Sequence, residues 1–193
     1  MARTTRGSAR LEDAARDFAA ERFAEARVTL ERLLAREPEL LEARELLGLT
    51  YYRLGRWRDA IRQLEAFSAA AGTVEQNHVL ADCHRALGEH ARVADLWEEL
   101  AATSPAGEVV TEGRIVAAGS LADQGDLHGA LRLLRKGPIR PKRPKDSTVR
   151  LWYAIADLQE RIGDLPAARE GFERVVAHRP DLADAKQRLD RLA

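Results

Sequence analysis

The chain has 193 residues, 45% of them hydrophobic and 32% charged, and its 31 basic side chains balance 31 acidic ones. This composition suits a folded chain with a substantial core and excludes a disordered or fibrous one. Zero net charge argues against a surface built as a whole to coat nucleic acid or an anionic membrane. Cys83 is the only cysteine, which excludes an internal disulfide.

In chain order, the first segment is a basic tail over residues 1–7, and the first ten residues hold Arg3, Arg6 and Arg10 without an acid. It has no apolar stretch of the kind a signal peptide uses. No segment approaches the ~18 consecutive apolar residues of a membrane helix. A reducing cytoplasm, with no membrane contact, is expected. From residue 8 onward apolar side chains recur at three- and four-residue spacing, the mark of amphipathic helices. The one strand-like stretch, GEVV at 107–110, is too short to found a sheet.

The helices read as hairpins over residues 8–40, 41–73, 74–107, 111–137 and 148–180. Each turn is marked in the sequence. YYRLGRWRDAI breaks at Gly55, ALGEHARVADLW at Gly88, LADQGDLHGALRLL at Gly125 and LQERIGDLPAAREGF at Gly163. A glycine there ends a helix by taking positive φ without Cβ strain. In the first hairpin, FAAERFAEARVTL, Glu21 sits where the glycine is expected. Five residues after each turn comes a small or β-branched side chain: Ala26, Ala60, Val93, Ala130 and Ala168, at intervals of 34, 33, 37 and 38. Such residues let helices approach closely, with Gly48 expected to face Ala60 and Ala156 to face Ala168. Trp57, Trp97, Leu134 and Phe172 are expected to fill the space between successive hairpins. After Pro180, residues 181–193 (DLADAKQRLDRLA) read as a capping helix with Asp181 at its N-cap.

A period near 34 with this punctuation resembles the tetratricopeptide repeat (TPR). In the second unit Leu47, Gly48, Tyr51, Ala60 and Leu64 fall in the family's register. In the fifth, Trp152, Ile155, Ala156, Ala168, Phe172 and Pro180 do so. Pro38 and Pro105 close the first and third units. The first unit lacks the early tryptophan and leucine, and the fourth is degenerate. The resemblance implies an all-α, right-handed α-solenoid of antiparallel helix hairpins. In such a solenoid each hairpin is stable only when stacked on the next.

The resemblance also implies a concave groove lined by the first helix of each hairpin, and hence a non-enzymatic scaffold or adaptor that holds another protein or peptide. Transferred register places Glu45, Tyr52 and Arg53, then His78, Asp82 and Arg85, then Tyr153 and Asp157 in that groove. The same register gives Glu42, Glu75, Glu112, Ile115, Asp123, Arg150, Glu160 and Arg161 as further exposed groove positions. Acids outnumber arginines eight to four in this set, which suits a partner of basic character. The same residues also suit plain solvated helix faces with local ion pairs. The family's lysine, arginine and asparagine clamp for acidic chaperone tails is absent, since those places hold Leu11, Ala15, Glu45, Leu49, Glu75 and Val79.

Residues 137–147 form a basic, proline-rich loop. From Arg135 to Lys145 six basic residues (Arg135, Lys136, Arg140, Lys142, Arg143 and Lys145) occur with three prolines and no acid. This is either a solvated linker or a basic arm for an acidic partner or nucleic acid, although no aromatic residues interleave to stack bases. A third expectation is self-assembly through the uncapped amino-terminal end. His78, Asp82, Cys83 and His84 lack the spacing of a metal site, and no cofactor motif or nucleophile arrangement appears. Neither an enzyme nor a cofactor is expected.

Overall fold

The computed structural model describes residues 5–103 and 107–192, with side chains from residue 7. Arg3, Ser104, Pro105 and the side chain of Arg6 therefore lie outside the described residues. Among those described, every regular element is an α-helix. The chain divides into two compact units, residues 1–89 and 90–193, and the division falls in the turn at Gly88 and Glu89.

The first unit contains α1 (Thr5–Ala19), α2 (Phe23–Leu34), α3 (Leu41–Arg53), α4 (Trp57–Ala71) and α5 (Asn77–Ala86). The helix α1 begins inside the segment read as a tail. The second unit contains α6 (His90–Thr103), α7 (Gly107–Asp123), α8 (Leu127–Arg135), α9 (Asp146–Ile162), α10 (Leu165–His178) and α11 (Ala185–Arg191). GEVV is thus the first turn of α7, which starts four residues ahead of the expected boundary.

All five turns use one hydrogen-bonding device. An amide donates to the carbonyl five residues back: Arg22 to Asp17, Arg56 to Tyr51, Glu89 to His84, Asp126 to Leu121 and Asp164 to Gln159, at 2.8–3.0 Å. This is the Schellman closure, and it demands a left-handed residue just before the donor. Gly55 supplies it at φ 69° and Gly163 at φ 92°. Glu21 adopts the same conformation at φ 58° despite its Cβ, so the first turn is formed against a local steric cost. Two of the second helices gain a side-chain cap. Asp126 Oδ1 accepts from the Gly129 amide at 2.7 Å, and Asp164 Oδ1 from the Ala167 amide at 3.3 Å.

Each unit is packed on its own terms. In the first, Ala14, Leu30, Leu33, Leu47, Tyr51 and Ala60 are buried together, with Trp57 half-buried against them. The closest approach to Gly48 comes from Leu64, not Ala60: a Cβ on Gly48 would lie 2.6 Å from Leu64 Cγ. The small residue thus admits a leucine from the facing helix one turn further on. At the α9–α10 crossing Ala156 and Ala168 are buried in one cluster, and Gly171 also meets Ala156, where an added Cβ would come within 2.8 Å of the alanine's. In the second unit, Leu131, Leu134, Leu151 and Leu158 form one cluster, and Trp152, Ala156, Phe172 and Val175 form another. Leu182, Leu189 and Leu192 of the carboxyl-terminal segment cover the latter. That segment differs from its sequence reading in where the helix starts. Asp181 pairs with Arg179 at 3.1 Å and Ala183 turns left-handed at φ 49°, so the helix begins only at the buried Ala185.

Candidate interaction surfaces

In each unit the expected groove residues lie on the first helices of the hairpins, and four of the eight reach forward, Glu45 and Tyr52 from α3 to α5 and Tyr153 and Asp157 from α9 to the capping segment around α11. Glu45 Oε1 on α3 accepts from Gln76 Nε2, the residue at the start of α5, at 2.7 Å. Tyr52 donates to Asp82 Oδ2 on α5 at 2.7 Å. Tyr153 on α9 donates to Asp184 at 2.5 Å, and Asp157 accepts from Arg188 at 2.7 Å. The partners are 31, 30, 31 and 31 residues apart. That is about one helical turn short of the 34-residue repeat. Within each unit, α5 is therefore offset axially from α3 and α11 from α9, and a side chain meets the neighbour's preceding turn. Between α7 and α9, where the loop lengthens the unit, the spacing grows accordingly. Glu112 accepts from Arg150 Nε at 2.9 Å across 38 residues.

Electrostatics follow from this ladder. Burial, then the hydrogen bond to Asp82, pushes the Tyr52 phenol well above its ordinary pKa. Burial and Asp184 act the same way on Tyr153. Tyr51, behind this face, donates to Glu31 Oε1 at 2.7 Å, and burial together with that bond raises it to about 12. Burial opposes ionisation of Glu31, but the bonds from Tyr51 and Arg27 outweigh it and hold the carboxyl below its usual range. Arg188 is the densest node. Its side chain is 11% exposed, and it reaches Asp157, Glu160 at 2.6 Å and the Tyr153 hydroxyl at 3.4 Å. It also lies 4.7 Å from the centre of the Phe172 ring. Burial works against its charge, yet bonds to Asp157, Tyr153 and Glu160 hold its pKa above the ordinary value.

The remaining expected residues serve smaller local roles. Arg53 pairs with Glu21 at 3.2 Å and covers the Phe23 ring at 4.3 Å. Arg85 lies 3.9 Å from Asp82. His78 turns its Nδ1 to the Glu75 carbonyl at 2.9 Å. Cys83 is fully buried, and burial, then Asp82, raises its thiol to about 12, so it stays protonated and inert at neutral pH. Among the described residues no three His, Cys, Asp or Glu side chains gather as a metal site would require. Gln76, Asp184 and Arg188 were not among the candidates. A search for polar pairs spaced 30–31 residues apart would have found all three.

The basic loop behaves differently. Among the described residues, Lys145 alone of its six cations has a carboxylate, Glu108, at 2.5 Å. Arg135, Lys136, Arg140, Lys142 and Arg143 are exposed without one. The loop is nevertheless fastened at its middle. Ile139 packs against the Leu131–Leu134 cluster, and its carbonyl accepts from Trp152 Nε1 at 2.9 Å. No helix among the described residues is long and apolar enough to cross a membrane.

Comparison with known proteins agrees with this architecture. Residues 17–83 match the tetratricopeptide repeat family. The fold is similar to a thermophilic TPR protein of Thermus thermophilus, with a TM-score of 0.75 at 18% identity over 96% of this chain and 98% of that one. It is similar to a kinesin light chain protein of Podospora anserina with nearly identical TPR-like repeats, with a TM-score of 0.68 at 21% identity over 92% and 96%. It is also similar to part of the human IFIT1 dimer with m7Gppp-AAAA, with a TM-score of 0.64 at 20% identity over 88% of this chain and 42% of that one. No curated protein matches the sequence.

Proposed function

Because the chain is built from tetratricopeptide-type repeats, we propose that it is a non-catalytic interaction scaffold that takes a partner protein segment along the first-helix face of a unit. Repeats of this type are, in general, a protein-interaction framework. The observation that supports a site on this face is the ladder itself. Tyr52 and Tyr153 stay half-exposed while the next first helix holds their hydroxyls. A surface whose aromatic side chains are already ordered loses little entropy when a partner binds. In the first unit Glu75 is exposed and its carboxylate has no partner among the described residues, which offers a contact for a basic residue of the bound segment. The test is selection of peptides from a random display library on the full chain, followed by amide chemical-shift mapping. The expected shifts fall on α3 and α5 or on α9 and α11, and Glu75→Lys weakens basic binders of the first unit. Shifts confined to α4, α8 or α10 would refute the reading.

The loop supports a second reading, an acidic partner held by residues 135–145. Five exposed cations without carboxylates make an electrostatic demand that the chain itself leaves unmet. Nucleic acid is the weaker choice of anion. The ring beside the loop, Trp152, is 7% exposed and lies under Arg174 and His178, so it has no free face for a base. Acidic peptides are expected to bind with strong salt dependence and to be lost when Lys142 and Arg143 are replaced by glutamate.

A further inference from the structure

Beneath the basic loop, between α8, α9 and α10, lies a cavity of about 140 Å³. Ile139, Trp152 and Ile155 give it apolar walls, and Arg135, Arg174 and Glu170 stand at its edge. Its one uncharged polar side chain is Gln159, which is 8% exposed and makes no side-chain hydrogen bond among the described residues. Its amide atoms keep a small contact with solvent but no protein partner among the described residues, and an occupant that bonds to them supplies the hydrogen bond the fold does not. The two guanidinium groups are not equivalent. Arg174 is paired with Glu170 at 3.3 Å, whereas Arg135 has no carboxylate of its own. The cavity edge thus carries one uncompensated positive charge.

These features select an occupant. At about 30 Å³ per water-sized group the cavity holds roughly five heavy atoms, too few for a helix or a strand. The walls suit a short methylene stem, while Gln159 and Arg135 suit a planar carboxylate at its end. An aliphatic side chain would leave Gln159 unbonded, and a lysine would meet Arg135 with like charge. We propose that this cavity receives a glutamate side chain from an acidic segment of a partner protein whose neighbouring carboxylates lie on Arg140, Lys142 and Arg143. This rests on the acidic-partner reading of the loop and gives it a residue-level specificity.

The probes are two labelled pentapeptides, acetyl-DDEDD-amide and acetyl-DDDDD-amide, titrated against the full chain by fluorescence anisotropy. The shorter aspartate stem cannot reach the amide from the mouth, so the glutamate peptide is expected to bind about tenfold more tightly. Gln159→Leu and the cavity-filling Ala167→Leu are expected to abolish that preference and leave the aspartate peptide unchanged. Circular dichroism serves as the check that both variants stay helical. Equal binding of the two peptides, lost with Lys142→Glu but indifferent to Gln159→Leu, would overturn the cavity assignment and leave the loop reading standing. Failure of both peptides to bind would overturn the two together. An oligothymidylate that binds more tightly than either peptide, with no response to Gln159→Leu, would assign the loop to nucleic acid and also overturn the proposal.

Discussion

The first-helix faces and the loop at 135–145 are both rich in charge, yet they use it in opposite ways. On the faces, Asp82 and Glu112 accept from a donor on another first helix, and Asp157 and Glu160 from Arg188 on the capping helix α11. In the loop, only Lys145 reaches a carboxylate. Charge on the faces therefore contributes to how helices align, and charge in the loop is left for something outside the chain. The sum over the whole chain is zero, so net charge alone hides a division of labour visible only residue by residue.

Arg188→Leu attacks the face side of this contrast most directly. It takes the cation from half-buried Glu160, leaves half-buried Asp157 with Arg161 alone at 3.5 Å, and removes a guanidinium from the Phe172 ring. Because those carboxylates keep some solvent, the expected loss is roughly 2–3 kcal/mol rather than the full cost of a deeply buried ion. Thermal unfolding measures it, and faster amide exchange in α11 should accompany it. A loss no larger than that of an exposed ion pair would mean the ladder does not hold α11 in place.

Tyr51→Phe is next, at about 1 kcal/mol, and carries a pH signature. Glu31 has a depressed pKa in the folded chain, so its contribution is present above the ordinary value of 4.5 and is lost as pH falls through the folded value. Tyr51 is raised from 10.0 to about 12, so its contribution is complete below pH 10 and is lost as pH rises towards 12. Denaturant midpoints measured against pH should flatten at both ends in the variant. An unchanged profile would show that the Tyr51–Glu31 bond is not formed in solution.

Glu21→Gly should raise stability by roughly 0.5–1 kcal/mol. Relief of the left-handed conformation outweighs the unfolded-state entropy of glycine and the exposed pair with Arg53. A fall in melting temperature would show that the Glu21–Arg53 contact matters more than the turn. Lys142→Ala with Arg143→Ala should change stability least, within about 0.5 kcal/mol, while weakening acidic-peptide binding. A marked loss of stability would place the loop with the faces and dissolve the contrast.

Much of the architecture is readable because it is local. Gly55, Gly88, Gly125 and Gly163 announce their turns, and the small residues after them mark the crossings. Glu21 is recognisable as the occupant of a glycine position, and the structure adds that it holds φ 58° there in spite of its Cβ. The site residues are readable as positions but not as partners. Tyr52 and Asp82 can both be assigned to first helices, yet nothing local indicates that one donates to the other, because that depends on the one-turn offset between those helices. Gln159 gives no signal at all. It sits in an ordinary helical pattern, and its missing partner is a property of the three elements around it.

What the amino-acid sequence determined by itself is the succession of helices, their turns and the repeat they form, since these arise from backbone preference and side-chain spacing within about forty residues. Tertiary structure alone decided which charges are paired between helices and which are left over. For the pairs between helices, a carboxylate's partner is chosen by the offset and rotation of a helix some thirty residues away, which no local pattern of charges encodes.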